Sequence, residues 1–264
     1  MAGRNSDCVA LIPAAGKGSR LGELPCSKEL VPLVPGAGSP YVAAPGTRVA
    51  IEDTLHVLGE NGIREAIIVI TAEKQDIPAY LGDGTKAGVA LTYVVRAPSP
   101  SVPHTLASAA PEVGNRTVVL VFPDILYRPR DAVSRLLYRH RESGADLTLA
   151  LVPSDRGDKV DLVDTDATGR VSGIRAKPGA GQRGWTWIAA AWGQRFTACL
   201  AAQVAGYNRR AAREPYVGDI VNAACRDGLT VLTLHIPDGA ALDIGTPEDL
   251  ERLWRHGFRP HSGR

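Results

Sequence analysis

The chain has 264 residues, of which 44% are hydrophobic and 22% are charged, and its formal net charge at pH 7 is +2. This length allows one elaborated domain over residues 1–264, and the near balance of charge argues against a nucleic-acid partner. No apolar run is long enough to span a bilayer and no secretory signal precedes Cys8, so the sequence predicts a cytoplasmic protein without membrane contact.

Apolar runs alternate with helical patterns over the first part of the chain. The predicted strands cover residues 9–12, 65–71, 89–95, 117–122 and 145–152, and the predicted helices include residues 52–58 and 131–141. This order predicts an α/β fold with a Rossmann-like, mainly parallel mixed sheet flanked by helices. Two loops rich in Pro, Gly, Ala or Ser, at 34–46 and 97–103, are predicted to be lids or connectors.

The pattern changes after Pro153, where the strand signals become short. They fall at residues 162–164, 171–175, 185–192 and 230–236 and predict a smaller, partly antiparallel subregion. We therefore expect residues 8–152 to bind one ligand and residues 153–254 to bind a second.

A glycine-rich turn follows the first predicted strand and is the most informative part of the chain. The stretch LIPAAGKGSRLGELPCSKELVPL runs from Leu11 to Leu33 and carries Lys17, Arg20 and Lys28. Glycines let a backbone approach polyphosphate oxygens, and basic side chains neutralise them. Neither the Walker A loop nor the G-x-G-x-x-G fingerprint is present. The turn predicts a nucleoside-triphosphate site of another kind.

The two-part pattern A-A-G-x-G-[ST]-R-L and P-x-S-K-x-L-x-P-L resembles the signature of the sugar-phosphate nucleotidylyltransferases, such as glucose-1-phosphate thymidylyltransferase-like enzymes. The resemblance runs from about Val9 to Leu253 and implies the nucleotidyltransferase fold. In that family Arg20 would stabilise departing pyrophosphate, Lys28 the α-phosphate, and Lys177 of R-A-K-P-G the sugar phosphate. The implied nucleotide-binding set is Ala14, Ala15, Gly16, Lys17, Gly18, Ser19, Arg20, Lys28, Ala97, Pro103 and Asp124.

Two aspartates match the metal positions of the same family. Asp124 follows a predicted strand, at the edge where open α/β sheets bind ligands, and Asp243 lies in A-L-D-I-G-T-P-E-D-L. The resemblance implies that both hold one Mg²⁺, although each could instead cap a turn. Thr246 and Pro247 are predicted to be the N-cap and first residue of a helix.

The acceptor region departs from the family pattern. The family's base-reading Gln before P-S-P is missing from the stretch Arg96-Ala97-Pro98-Ser99-Pro100, the Glu of Glu-Lys-Pro becomes Ala176, and a Tyr-Gly pair is replaced around Val160 and Asp161. These differences predict an acceptor other than plain glucose 1-phosphate, such as a modified sugar or cyclitol phosphate. The predicted substrate-binding residues are Asp161, Ala176, Lys177, Tyr216 and Asp219, of which Asp219 is also interpreted as a helix N-cap charge.

The resemblance implies a Mg²⁺-dependent reaction in which a sugar 1-phosphate attacks the α-phosphate of a nucleoside triphosphate and releases pyrophosphate. Homo-oligomers are common in the family and are allowed here. Three alternatives stay open: a nucleotidyltransferase for a non-sugar acceptor such as choline phosphate, a regulatory domain that only binds these ligands, and a related transferase that uses Asp164-Thr165-Asp166 as its D-x-D pair.

Two further groups are interpreted as structural rather than functional. Arg209, Arg210 and Arg213 lie amid alanine and predict a solvated helix face. The four cysteines lack C-x-x-C spacing, which argues against disulfides and zinc. Cys26 lies beside the basic loop and is either a packed residue or a reactive thiol.

Overall fold

The computed structural model describes residues 7–207 and 214–258, so Arg209, Arg210 and Arg213 lie outside the described residues. The strands are β1 (Cys8–Pro13), β2 (Pro35–Gly36), β3 (Ser39–Ala43), β4 (Glu65–Ile70), β5 (Ala90–Val95), β6 (Thr117–Val121), β7 (Ile125–Arg128), β8 (Leu147–Ser154), β9 (Leu162–Thr165), β10 (Val171–Arg175), β11 (Gly184–Trp192), β12 (Val231–His235) and β13 (Ala240–Asp243). The helices are α1 (Ala50–Glu60), α2 (Asp76–Leu81), α3 (Val102–Ser108), α4 (Ala110–Val113), α5 (Ala132–Ser143), α6 (Gln194–Ala205), α7 (Val217–Arg226) and α8 (Pro247–His256). Short 3₁₀ turns cover Ser19–Leu21, Lys28–Leu30 and Thr85–Ala87.

Within the described residues, nine strands form one mixed sheet. Its main path runs β10-β9-β11-β6-β1-β4-β5, and β8 pairs with both β11 and β12. Strands β6, β1, β4 and β5 are parallel, whereas β11 is antiparallel to β6, β8 and β9. This architecture confirms the predicted α/β fold with a mainly parallel mixed sheet and antiparallel pairing in its later strands.

Alternating side chains of β1 supply both faces of the core. Cys8, Ala10 and Ile12 belong to a buried cluster that also includes apolar residues of α1 and α5. Val9 and Leu11 point to the opposite cluster, which includes residues of α3, α6 and α7. A strand buried on both faces reads as a continuous apolar run, which is why the prediction for residues 9–12 was sound.

Two predicted regions differ from the observed structure in their organisation. The segment 34–46 contains the small β2–β3 hairpin rather than only irregular loop. The strand predicted at 185–192 exists as β11, which pairs antiparallel with β8 and β6, so the predicted antiparallel strands are continuous with the main sheet. Segments from both parts of the chain therefore share one sheet.

A third, smaller apolar cluster joins β7 and β13 to α8. The two strands are antiparallel with Asp243 opposite Ile125, and the Ile244 N–H donates to the Asp124 carbonyl at 2.9 Å. Thr246 is the N-cap of α8, as predicted, because its hydroxyl accepts from the Asp249 N–H at 3.3 Å. This pairing brings two distant aspartates to one place. In the described part of the chain, no helix has the length and apolar character needed to cross a membrane.

Candidate functional site

A cavity of about 1170 Å³ opens at the carboxyl ends of the parallel strands. Its wall includes Pro13 at the end of β1, Asp124 just after β6, and Ser99 and Ser101 after β5. Ligands of open α/β sheets bind at this edge. Pockets that bind one small molecule usually measure roughly 300–1,000 Å³, so this cavity is slightly larger than a typical single-ligand pocket.

The glycine turn lies over the base of this cavity. Gly18 has φ 68°, a left-handed conformation that a side chain disfavours. A Cβ built on Gly18 would lie 3.3 Å from Cδ of Lys28, so glycine also lets the lysine stem pack against the turn. Gly18 therefore serves two needs, the turn itself and the path of Lys28 toward the cavity.

Lys28 and Asp124 form a short ion pair at the cavity floor. The Lys28 Nζ atom lies 2.5 Å from Asp124 Oδ2, and both side chains are largely buried. Burial alone would raise the pKa of Asp124, but the Lys28 ammonium outweighs it and the pKa is lowered. For Lys28, burial favours the neutral amine, while the Asp124 carboxylate prevails and raises the pKa. Both groups are therefore charged at neutral pH.

Asp243 lies near the Lys28–Asp124 pair, but its pKa is shifted in the opposite direction to that of Asp124. Burial, followed by the negative charge of Asp124, raises the pKa of Asp243. Its Oδ1 accepts from the Gly245 N–H at 2.7 Å, and Arg20 Nη2 lies 3.9 Å from Oδ2. Because the Arg20 side chain is 55% exposed, that contact compensates little of the charge. Two neighbouring carboxylates with an incompletely neutralised charge are suited to a divalent cation.

Lys177 also lines the cavity and has an unusual backbone. Its φ is 43°, the left-handed region that non-glycine residues rarely adopt, and its Nζ lies 5.7 Å from the centre of the Tyr216 ring. Backbone strain of this kind clusters at ligand sites. Trp187 and Phe122, whose rings meet edge to face at 5.5 Å, add an apolar section of wall.

Sequence reasoning missed two cations that line the cavity, Arg156 and Lys159. Both bind Asp249, Arg156 through two contacts of 2.6 and 3.3 Å and Lys159 at 3.0 Å. Burial would raise the pKa of Asp249, but its hydrogen bonds to Arg156, Thr246 and Lys159 lower it to about 2. The run S-D-R-G-D-K has the composition of an ordinary solvated loop. The two cations could have been recognised only by knowing that their acidic partner, Asp249, is buried next to them in the fold.

The structure brings most of the predicted site residues to this cavity and leaves others outside its wall. The wall contains Ala15, Gly16, Lys17, Ser19, Arg20, Lys28, Asp124, Asp161, Lys177, Tyr216 and Asp243. The predicted residues outside it are Ala14, Gly18, Ala97, Pro103, Ala176 and Asp219.

Each of three outlying residues has a local structural role. Ala14 is fully buried in the core, and Pro103 lies in the first turn of α3. The Asp219 carboxylate accepts from the Tyr216 N–H at 2.8 Å and caps α7, in line with its interpretation as an N-cap charge.

Other candidate groups do not reach the cavity. Asp164 and Asp166 lie outside its wall, and Asp166 accepts from Thr168 and Arg170, which argues against a D-x-D donor site. Burial and the charge of Asp76 raise the pKa of Cys26, which disfavours its thiolate, and the side chain packs against the apolar core, as the packed-residue interpretation expects.

The strand, glycine turn and paired aspartates define a nucleotidyl transferase. Residues 9–256 match the family model described as nucleotidyl transferase, and the chain belongs to this family. Its homologues and structural neighbours carry the names of enzymes that act on sugar phosphates. This finding confirms the resemblance seen in the motifs.

Two curated relatives match the chain over 175 and 171 residues. A glucose-1-phosphate thymidylyltransferase from Mycolicibacterium smegmatis is 31% identical, over 64% of this chain and 54% of the relative. A mannose-1-phosphate guanylyltransferase from Mycobacterium tuberculosis is 29% identical, over 65% of this chain and 44% of the relative. The chain spans about half the length of these relatives.

Solved structures share the fold over nearly the whole chain. A Bacillus anthracis protein assigned as a glucose-1-phosphate thymidylyltransferase has a TM-score of 0.78 at 19% identity, covering 97% of this chain and 98% of its own. An Acinetobacter UDP-glucose pyrophosphorylase has a TM-score of 0.73 at 20% identity, covering 93% and 91%. At these identities the likeness shows the fold.

Proposed function

We propose that the chain joins a nucleoside triphosphate to a sugar-like 1-phosphate, giving a nucleotide sugar and pyrophosphate. The observation that carries this proposal is one cavity whose wall contains both the glycine turn with Lys28 and, from the later part of the chain, Lys177. In this division the segment 8–152 supplies the nucleotide side, and the segment 153–254 supplies the acceptor side and Asp243. One cavity that holds both substrates is what an in-line transfer requires.

The residues would act by position and charge rather than by proton transfer. The attacking group is a phosphate oxygen that is already anionic, so no general base is needed. Lys28 would neutralise charge on the α-phosphate, Arg20 on the departing pyrophosphate, and Lys177 on the incoming phosphate. The Lys28 ammonium is largely buried and paired with Asp124, whereas the Arg20 side chain is 55% exposed and has only a 3.9 Å contact with Asp243.

The carboxylates of Asp124 and Asp243 fit Mg²⁺. Burial, and after it the charge of Asp124, raise the pKa of Asp243, and a bound cation would offset both effects. Mg²⁺ binds through one or two carboxylates together with substrate phosphates, so two ligands from the protein suffice. When bound, the ion would supply charge neutralisation at the reacting phosphates.

The acceptor side supports a sugar-like phosphate that differs from glucose 1-phosphate. Ala176 cannot accept a hydrogen bond through its side chain and lies outside the wall, while Asp161 lies in it. A hydroxyl acceptor in a new position favours a modified sugar or a cyclitol. Arg96 does not take over base reading, because its guanidinium binds the Ser108 carbonyl at 3.2 Å and Glu112 at 2.8 Å.

The test is a pyrophosphate-release screen with Mg²⁺ that crosses five nucleoside triphosphates with a panel of sugar and cyclitol 1-phosphates. A productive pair that is lost in Asp124→Asn but kept in Asp164→Asn would support the proposal. Asp164 is a suitable control because it is an exposed carboxylate paired with Arg175 outside the cavity. Triphosphate binding without turnover on any acceptor, choline phosphate included, would instead favour a regulatory binding role.

A further inference from the structure

Lys28 is flanked on both sides by side-chain contacts to one short segment, residues 74–76, which leads into α2 and includes its first residue. On the preceding side, the N–H and hydroxyl of Ser27 donate to Asp76 at 2.6 and 2.7 Å. On the following side, Lys74 Nζ donates to both carboxylate oxygens of Glu29 at 2.8 and 2.7 Å. The 3₁₀ turn that carries Lys28 is therefore held at both of its ends.

The Glu29–Lys74 pair is buried beneath the turn, with Glu29 fully buried and Lys74 8% exposed. Burial raises the pKa of Glu29 and lowers that of Lys74, in each case against the attraction of the partner. Removing two charges from water costs about as much as their attraction returns, so such a pair adds little net stability. Its hydrogen bonds do fix the position of the Lys28–Leu30 turn relative to residues 74–76.

Such a fixed position matters for Lys28 in particular. A lysine side chain is flexible, and an ammonium group that must meet a reacting phosphate gains from having its backbone held in place. The Lys28 stem packs on Gly18 and its ammonium contacts Asp124, so the root of the side chain is the remaining degree of freedom. The contacts made by residues 27 and 29 remove that freedom.

We propose that the segment Lys74–Asp76 positions Lys28 for the phosphates through its grip on Ser27 and Glu29. The inference rests on the proposed function, in which Lys28 contacts the reacting phosphate. Neither Lys74 nor Asp76 lines the cavity, so both act through Lys28 rather than on the substrate.

A double-mutant cycle of Lys28→Met and Lys74→Met tests this inference. Lys74→Met alone should lower kcat about 10²-fold, as a displacement on the order of 1 Å does, while the acceptor KM changes less than about twofold. In the Lys28→Met background the same change should cost less than about threefold, because the group that Lys74 positions is already missing. The inference would be overturned if Lys74→Met lowered kcat by the same factor with and without Lys28, or if it left kcat unchanged.

Calorimetric titration with the triphosphate measures the binding affinity of the same variants, and this measurement does not depend on turnover. Weaker binding in Lys74→Met that disappears in the Lys28→Met background supports the inference, whereas equal weakening in both backgrounds overturns it. A wild-type protein that binds but never releases pyrophosphate would refute the proposed function and leave this readout intact.

Two further variants separate positioning from loss of folding. Asp146→Asn is the matched control, because Asp146 binds Arg195 and the Thr230 N–H at the end of β8 away from the cavity. It should lower the melting temperature with kcat unchanged. If Lys74→Met does not fold, Asp76→Ala replaces it in the double-mutant cycle, because the Asp76 contact is less buried. The effect of Asp76→Ala on kcat should likewise depend on the presence of Lys28.

Discussion

Replacing Asp243 by Asn should stop turnover and, at the same time, stabilise the fold. Asn has nearly the shape of Asp, and its Oδ1 can still accept from the Gly245 N–H, now at 2.7 Å. The substitution therefore removes a negative charge with little change in packing. The charge it removes is the one that burial and Asp124 make unfavourable.

The direction of the stability change follows from the raised pKa of Asp243. Below the ordinary value of 3.8 the carboxyl is protonated in both the folded and unfolded states, so no cost arises. As pH rises through the raised folded pKa, the folded protein must ionise a group that the unfolded chain ionises more readily, and stability is lost. Above the raised folded pKa the loss is complete, and Asn removes it.

The expected gain is about 1 kcal/mol, typical of relieving strain at an active site, which is about 3 °C in melting temperature for a chain of this size. The loss in turnover should be far larger. Weakening the metal's charge stabilisation by about 3 kcal/mol lowers kcat by about 10²-fold or more.

Thermal unfolding with a chelator at pH 7, and pyrophosphate release with Mg²⁺, measure the two effects separately. Asp124→Asn is the matched comparison, because Lys28 lowers the pKa of Asp124 and the same change there should destabilise the fold. The melting temperature should therefore rise for Asp243→Asn and fall for Asp124→Asn, although the two aspartates are neighbours. A lower melting temperature for Asp243→Asn would refute the electrostatic reasoning.

Two other substitutions probe the surroundings of the site. Gly245→Ala would place a Cβ 2.8 Å from Arg20 Nη2, so steady-state kinetics should show kcat reduced by about tenfold while the melting temperature stays close to wild type. Asp249→Asn breaks a buried pair with Arg156 and should cost about 3 kcal/mol in urea unfolding at pH 7. Because the folded pKa of Asp249 is about 2, that difference should narrow as pH falls below 3.8 toward 2.

The position of the glycine turn and Asp124 at one cavity was predictable, because local sequence determines it. β1 and the glycine turn are contiguous, and Asp124 follows a strand whose apolar run is unmistakable. The carboxyl end of a parallel strand points to the ligand edge in any open α/β sheet. For these residues, the pattern of side chains and the backbone rules were sufficient.

Strand order and long-range ion pairs were not predictable in this way. The run 185–192 indicates a strand, but nothing local indicates that β11 pairs with β6 rather than lying apart. Glu29 and Lys74 are 45 positions apart, and each reads as an ordinary surface charge until the fold buries both. Pairing of this kind depends on the whole chain, so a single sequence does not encode it in any short window.

The same difference in range bears on the proposed acceptor, because the glycine turn keeps the family's motif while the later R-A-K-P-G motif departs from it. The phosphate grip consists mainly of backbone, glycines and strand-end charges, and its ligand is common to every triphosphate. The acceptor wall combines side chains from distant segments, such as Asp161, Lys177 and Tyr216, so each can change without disturbing the grip. A change of acceptor thus requires no change in the chemistry at Lys28 and Asp124. For that reason the acceptor panel, rather than the choice of metal or reaction, is where this chain should differ most from its relatives.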